Sequence, residues 1–115
     1  MLTVKHYMGE INLQMLVEES EASKGIVFDS EGHVIDSYNI TNEHNVAAML
    51  AVVVTMSHEF FEDVLESNNL NQLVLNSNDE LVVVNKYNDE HIICLIADDV
   101  SKVAMIKLTL KKLVL

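Results

Sequence analysis

Apolar residues recur from one end of the chain to the other in two rhythms, a helical one and a strand one, and the changes between them mark eight elements. From about Tyr7 to Ser20, Ile11, Met15 and Val17 or Glu18 fall at near-helical spacing with Leu13 and Leu16 beside them, which predicts a first helix that Gly9 weakens at its start. Two β-rich runs follow, Lys24 to Asp29 and His33 to Tyr38, joined by Asp29-Ser30-Glu31-Gly32. A glycine after polar residues suits the positive φ of a tight hairpin, so these runs read as antiparallel strands. Thr41 or Asn42 is placed to cap a long helix through about Ser67, which Asn68-Asn69 ends. Three strands come next, Leu70 to Asn76, Leu81 to Tyr87 and His91 to Ala97, separated by Asn- and Asp-rich turns. The last of them is almost wholly apolar, as a central strand covered on both faces should be, whereas Asn71, Gln72 and Asn76 mark the first as an edge strand. Asp98 or Asp99 then caps a helix running to the C-terminus, whose lysines suit the negative end of its dipole. The order is α-β-β-α-β-β-β-α, an α+β fold built on one five-stranded antiparallel sheet with helices on both faces.

The long helix carries more apolar surface than one sheet needs. Val46 to Val54 is an unbroken run of nine apolar residues. On a helical wheel Val46, Met49, Leu50, Val53, Phe60 and Val64 share one side and are expected to cover the sheet. Ala48, Ala51 and Val52, with Thr55, fall on the other side, where a lone monomer should carry charge and where small residues permit close approach of a second helix. Burial of that side by the terminal helices or a loop of the same chain is the alternative. Beyond it Glu59, Glu62, Asp63 and Glu66 make an acidic rim that either faces solvent or meets a basic partner. In the last helix Val103, Ile106, Leu110 and Leu113 form one face, and Ala104, Leu108 and Leu115 a second stripe among the lysines. Pairing of the two terminal helices on one sheet face accounts for it.

Composition narrows the function more than the fold. At 115 residues without proline, repeat or low-complexity tract, the chain reads as one domain, residues 1–115. No stretch has the shape of a signal peptide or the length of a membrane span, so a cytoplasmic protein without membrane insertion is expected. The lone Cys94 lies in an apolar run and reads as a buried, reduced core thiol. The net charge of −11 is unevenly spread: residues 1–99 hold all 18 acids against three lysines, while residues 100–115 hold four lysines and no acid. An acidic body repels phosphate backbones, which disfavours nucleic acid and favours a basic protein surface. There is no arginine, hence no bidentate phosphate clamp and no arginine finger.

No catalytic constellation emerges. His58-Glu59-Phe60-Phe61-Glu62 begins like the zinc-protease motif HExxH but lacks its second histidine, and no third ligand is identifiable. The five histidines are scattered, no serine or cysteine stands in a nucleophile elbow, and three glycines form no phosphate loop. No enzyme activity, cofactor or metal is expected. Asn39-Ile40-Thr41 matches a glycosylation sequon that has no use without secretion.

The hairpin Gly25-Ile26-Val27-Phe28-Asp29-Ser30-Glu31-Gly32-His33-Val34-Ile35-Asp36-Ser37 resembles that of the roadblock / dynein light chain family, and so does the element order after it. An Ala-rich long helix, three meander strands and a terminal helix after Ala97-Asp98-Asp99 extend the resemblance over nearly the whole chain. The resemblance implies the long helix on one sheet face and the terminal helices on the other. It also implies dimers, with long helices side by side and third strands edge to edge. In this sequence such an interface would use Ala47, Ala48, Ala51, Val52 and Thr55 of the helix and Leu73, Val74 and Leu75 of the strand. Family members act as dynein-associated chains, scaffolds or regulators of Ras-like small GTPases. A homodimer, or a heterodimer with a paralogue, acting on such a GTPase is therefore expected, against a nucleotide-independent scaffold or a small-ligand sensory domain.

Overall fold

A computed structural model describes residues 12–67 and 70–113. Helix α1 spans Leu13–Ser20; strands β1 (Lys24–Phe28) and β2 (Val34–Tyr38) form the hairpin; helix α2 spans Glu43–Glu59. Strands β3 (Gln72–Asn76), β4 (Leu81–Lys86) and β5 (Ile92–Ala97) form the meander, and a short 3-10 turn leads into helix α3 (Val103–Lys111). The sheet runs β2-β1-β5-β4-β3 with every neighbouring pair antiparallel. This is the expected α+β architecture. The apolar β5 lies in the middle of the sheet and β3 at an edge.

Alternation along the strands builds two cores, one on each face. Val27, Val83, Ile93 and Leu95 point to the side covered by Leu13 and Val17 of α1 and by Ile106 and Leu110 of α3. Their neighbours Ile26, Phe28, Val84, Ile92 and Cys94 point to the side covered by Ala47 and Ala51 of α2. The terminal helices therefore pair on one sheet face, and among the described residues the long helix covers the other. α1 sits close because Gly25 has no side chain: a Cβ there would stand 2.8 Å from Val17 Cγ2 and 2.9 Å from Leu13 Cδ1. Its ends are local chemistry. The Asn12 side chain accepts from the Met15 amide, and Glu21, at a φ of 62°, closes the helix in left-handed geometry. The Lys102 ammonium donates to Glu21 Oε1 at 2.6 Å, a contact that raises the lysine pKa above its ordinary value and ties the start of α3 to the end of α1.

Several sequence expectations change. The first helix is described only from Leu13, and the stretch expected from Tyr7 to Ile11 lies outside the described residues, as does Leu115 of the second α3 stripe. Ala104 and Leu108 of that stripe are exposed. Asn42 is the N-cap position of α2, but its side chain makes no capping hydrogen bond; Asp99 caps the short 3-10 turn, accepting from the Ser101 amide, whereas the N-cap of α3 itself is Lys102, which makes no side-chain capping bond. The long helix does not stay α-helical to Ser67: after Glu59 it widens into a π-helical turn, Phe60–Val64.

The rotation of α2 differs from the one its helical wheel predicts. Ala47 and Ala51 are buried against the sheet, with Val46, Leu50 and Val54 packed beside them, while Met49, Phe60 and Val64 are on the surface. A helix apolar nearly all round gives the wheel little contrast, and assigning the larger side chains to the core then fails. The small Ala47 and Ala51 face the sheet instead. At the hairpin turn Gly32 adopts a φ of +87°, and a Cβ on it would lie 3.0 Å from the Ala48 Cα.

Candidate functional site

The exposed side of α2 carries several large apolar side chains. Met49 (70% exposed), Val52 (57%) and Met56 (64%) follow one another at spacings of three and four, and Phe60 and Val64 of the π-helical turn continue the series. These residues line one stripe of the helix surface. Ala48 and Thr55 flank it and are exposed as well. The hairpin turn bounds the stripe on one side, so that Ser30 and Glu31 face Val52, Thr55 and Met56 across a shallow groove. Asp29 holds that turn in shape: its Oδ1 accepts from the Glu31 and His33 amides at 2.9 Å each, and its Oδ2 lies 3.0 Å from His33 Nδ1. The His33 amide bond is the largest of the influences holding the Asp29 carboxyl below its ordinary pKa.

On its other side α2 meets β3, where Val54 and Leu73 line a small dent. The two sheet edges differ. β2 carries the exposed Asp36, and its pairing with β1 slips register beside Phe28. β3 is in unbroken register with β4, reads QLVLN without a charge, and leaves Leu75 39% exposed. Charges and bulges are what keep an edge from pairing with another chain, and β3 has neither.

Measured against the sequence reading, Ala48, Val52, Thr55 and Leu75 are open surface, while Leu73 and Val74 are half-buried. Ala47 and Ala51 are not available as contact residues, since both are buried in the chain's own core. Met49 and Met56 are surface residues that the sequence reading misses. Their signal is the i, i+3, i+7 series with Val52, which a core face placed at the wrong rotation hides. Glu59, Glu62, Asp63 and Glu66 are all exposed; Glu62 lies 3.6 Å from His58 Nε2, and the others make no ion pair among the described residues. No group of three or more potential metal ligands occurs among the described residues. Cys94 is fully buried, and burial pushes its thiol pKa up to about 12. No helix among the described residues is long and apolar enough to cross a membrane.

A three-layered fold with an unprotected sheet edge and an apolar helix face beside it is the architecture of a protein-interaction module. Residues 8–97 match the Roadblock/LC7 domain, and the chain belongs to that family. Among solved structures it is similar to the gliding protein MglB from Thermus thermophilus, at a TM-score of 0.78 and 15% identity over 87% of this chain and 78% of that one. MglB from Myxococcus xanthus is comparably similar, at 0.76 and 15% over 85% and 81%. A Roadblock/LC7 domain from Streptomyces avermitilis follows at 0.71 and 11% over 87% and 89%. No curated protein matches the sequence.

Proposed function

We propose that the protein is a non-catalytic, cytoplasmic dimer that regulates or scaffolds a Ras-like small GTPase. The observation that carries this reading is the stripe Met49, Val52, Met56, which stays exposed although both cores of the chain are already filled by other residues. Three large apolar side chains side by side on a helix, next to an uncharged sheet edge, favour burial against a second copy. Pairing of two α2 helices and two β3 strands would cover Ala48, Val52, Thr55 and Leu75 together. That a similar chain has been solved as MglB with a tetrameric arrangement supports self-association in this fold.

The GTPase is what the family resemblance implies. The acidic rim of Glu59, Glu62, Asp63 and Glu66 offers it a surface complementary to basic residues. Lacking arginine, the chain supplies no finger of its own, so stimulation of hydrolysis would come from repositioning groups on the GTPase. Calorimetric titration with the Ras-like GTPase encoded nearest its gene tests the reading. A regulator binds the GTP-analogue and GDP forms at least about tenfold differently, a difference of about 1.4 kcal/mol. Equal binding to both makes it a nucleotide-independent scaffold, and binding to neither removes the GTPase from the account.

A further inference from the structure

Two further surfaces lie outside the proposed dimer face, one of them part of the acidic rim also offered to the GTPase, and they match each other. On α3, Ala104, Lys107, Leu108 and Lys111 fall at spacings of three and four and so form one face, all of it exposed. Leu108 is 54% exposed, and Val100 on the preceding turn extends the apolar part. Neither Lys107 nor Lys111 has an acidic partner among the described residues; Lys102, which has one, points to α1. The second surface is the π-helical turn that ends α2. There the exposed Phe61 and Leu65 lie among Glu62, Asp63 and Glu66, all exposed.

One patch is apolar and basic, the other apolar and acidic. They lie on opposite faces of the sheet, since α3 packs on one side and α2 on the other. A single copy therefore cannot bring its own two patches together. Two copies can, and a head-to-tail contact between them builds a ring where the rotation closes and an open array where it does not.

We propose that the basic face of α3 docks on the acidic π-helical turn of another copy, joining the protein's basal units into larger assemblies. The overall negative charge of the chain opposes this at long range. At physiological salt, however, charges further apart than roughly 8 Å are largely screened, whereas pairs in contact within a patch are not. Local complementarity then decides. Near 1 M salt the screening length falls to about 3 Å and the contact weakens too.

Sedimentation of the full chain tests this, comparing the wild type, the double variant Lys107→Glu/Lys111→Glu, the double variant Glu62→Lys/Asp63→Lys, and an equal mixture of the two. All four substitutions are at exposed positions away from the cores. In 0.15 M salt, over roughly 10 μM to 1 mM, where weak contacts titrate, the wild type should rise to at least twice its basal mass and fall back at 1 M salt. Each variant alone should stay at the basal mass. The mixture should regain the rise, because the acidic α3 of the first variant faces the basic turn of the second, and the unaltered turn of the first faces the unaltered α3 of the second. A wild type of constant mass, variants that assemble as well as it does, or a mixture that stays basal would each overturn the proposal. Whether the basal unit is a monomer or a dimer is read from the dilute end of the same run, so failure of the dimer and failure of this contact are told apart.

Discussion

Three side chains show how single residues set the behaviour of this fold. Cys94 is held among Ile26, Phe28, Val84 and Ile92, with no charge to offset the loss of water, and its thiol stays protonated far above neutral pH. Native protein should therefore resist alkylation by iodoacetamide at pH 8 for as long as it stays folded, and react fully in denaturant; intact mass before and after unfolding checks this. Asp29 works in the opposite direction. Its carboxylate is stabilised by the turn amides, above all that of His33, so it binds its proton less readily in the folded chain than in the unfolded one. The stabilisation is present above the ordinary carboxylate pKa of about 4 and is lost as pH falls through the lowered folded value. Asp29→Asn should consequently lower the melting temperature at pH 7, with the gap to wild type closing as the pH drops below about 4. A gap that stays constant down to pH 2 would mean that the carboxylate charge has no part in the turn. Ala51 gives a warning: a glutamate there would place a charge in the core, so loss of folding would mask any effect on assembly.

At the scale of elements, the glycines decide which helix can dock where. Gly25→Ala would drive a methyl group into Val17 and Leu13, and overpacking of this kind costs about 1–3 kcal/mol. Gly32→Ala meets backbone, the Ala48 Cα, in addition to an unfavourable φ, so the hairpin turn has nowhere to go. Chemical denaturation should find both variants less stable than wild type. The Gly32 variant alone should also disturb the groove between the turn and α2, visible as shifted amide resonances of Val52 and Thr55. Strand positions, both hairpin and meander turns and the central place of β5 are legible in the sequence, because period-two alternation and turn chemistry are local signals. The rotation of α2 is not. Its apolar residues surround the helix, and only tertiary packing decides that Ala47 and Ala51 face inward and Met49 and Met56 outward. The π-helical turn is equally hidden, since Phe60-Phe61-Glu62-Asp63-Val64 has nothing in its composition that separates it from a continuing α-helix. The acidic rim, by contrast, is legible as exposed from its charges alone.

For the whole molecule, the sheet divides the labour. One face is closed by α1 and α3 on a common core, and among the described residues the other is covered by α2, whose outward side carries the apolar stripe. A second copy is proposed to cover that side, and the proposed GTPase would meet the resulting dimer. Val52 is the position to probe, being central in the stripe and clear of the chain's own core; a charge there should change the stability of the isolated fold by no more than about 0.5 kcal/mol. The decisive measurement is sedimentation equilibrium of wild type and Val52→Glu side by side in dilute solution. Twice the chain mass for wild type and a folded species of single chain mass for Val52→Glu are the predicted results. A wild type that sediments as a single chain at every concentration, or a Val52→Glu variant that pairs as tightly as wild type, would contradict the account.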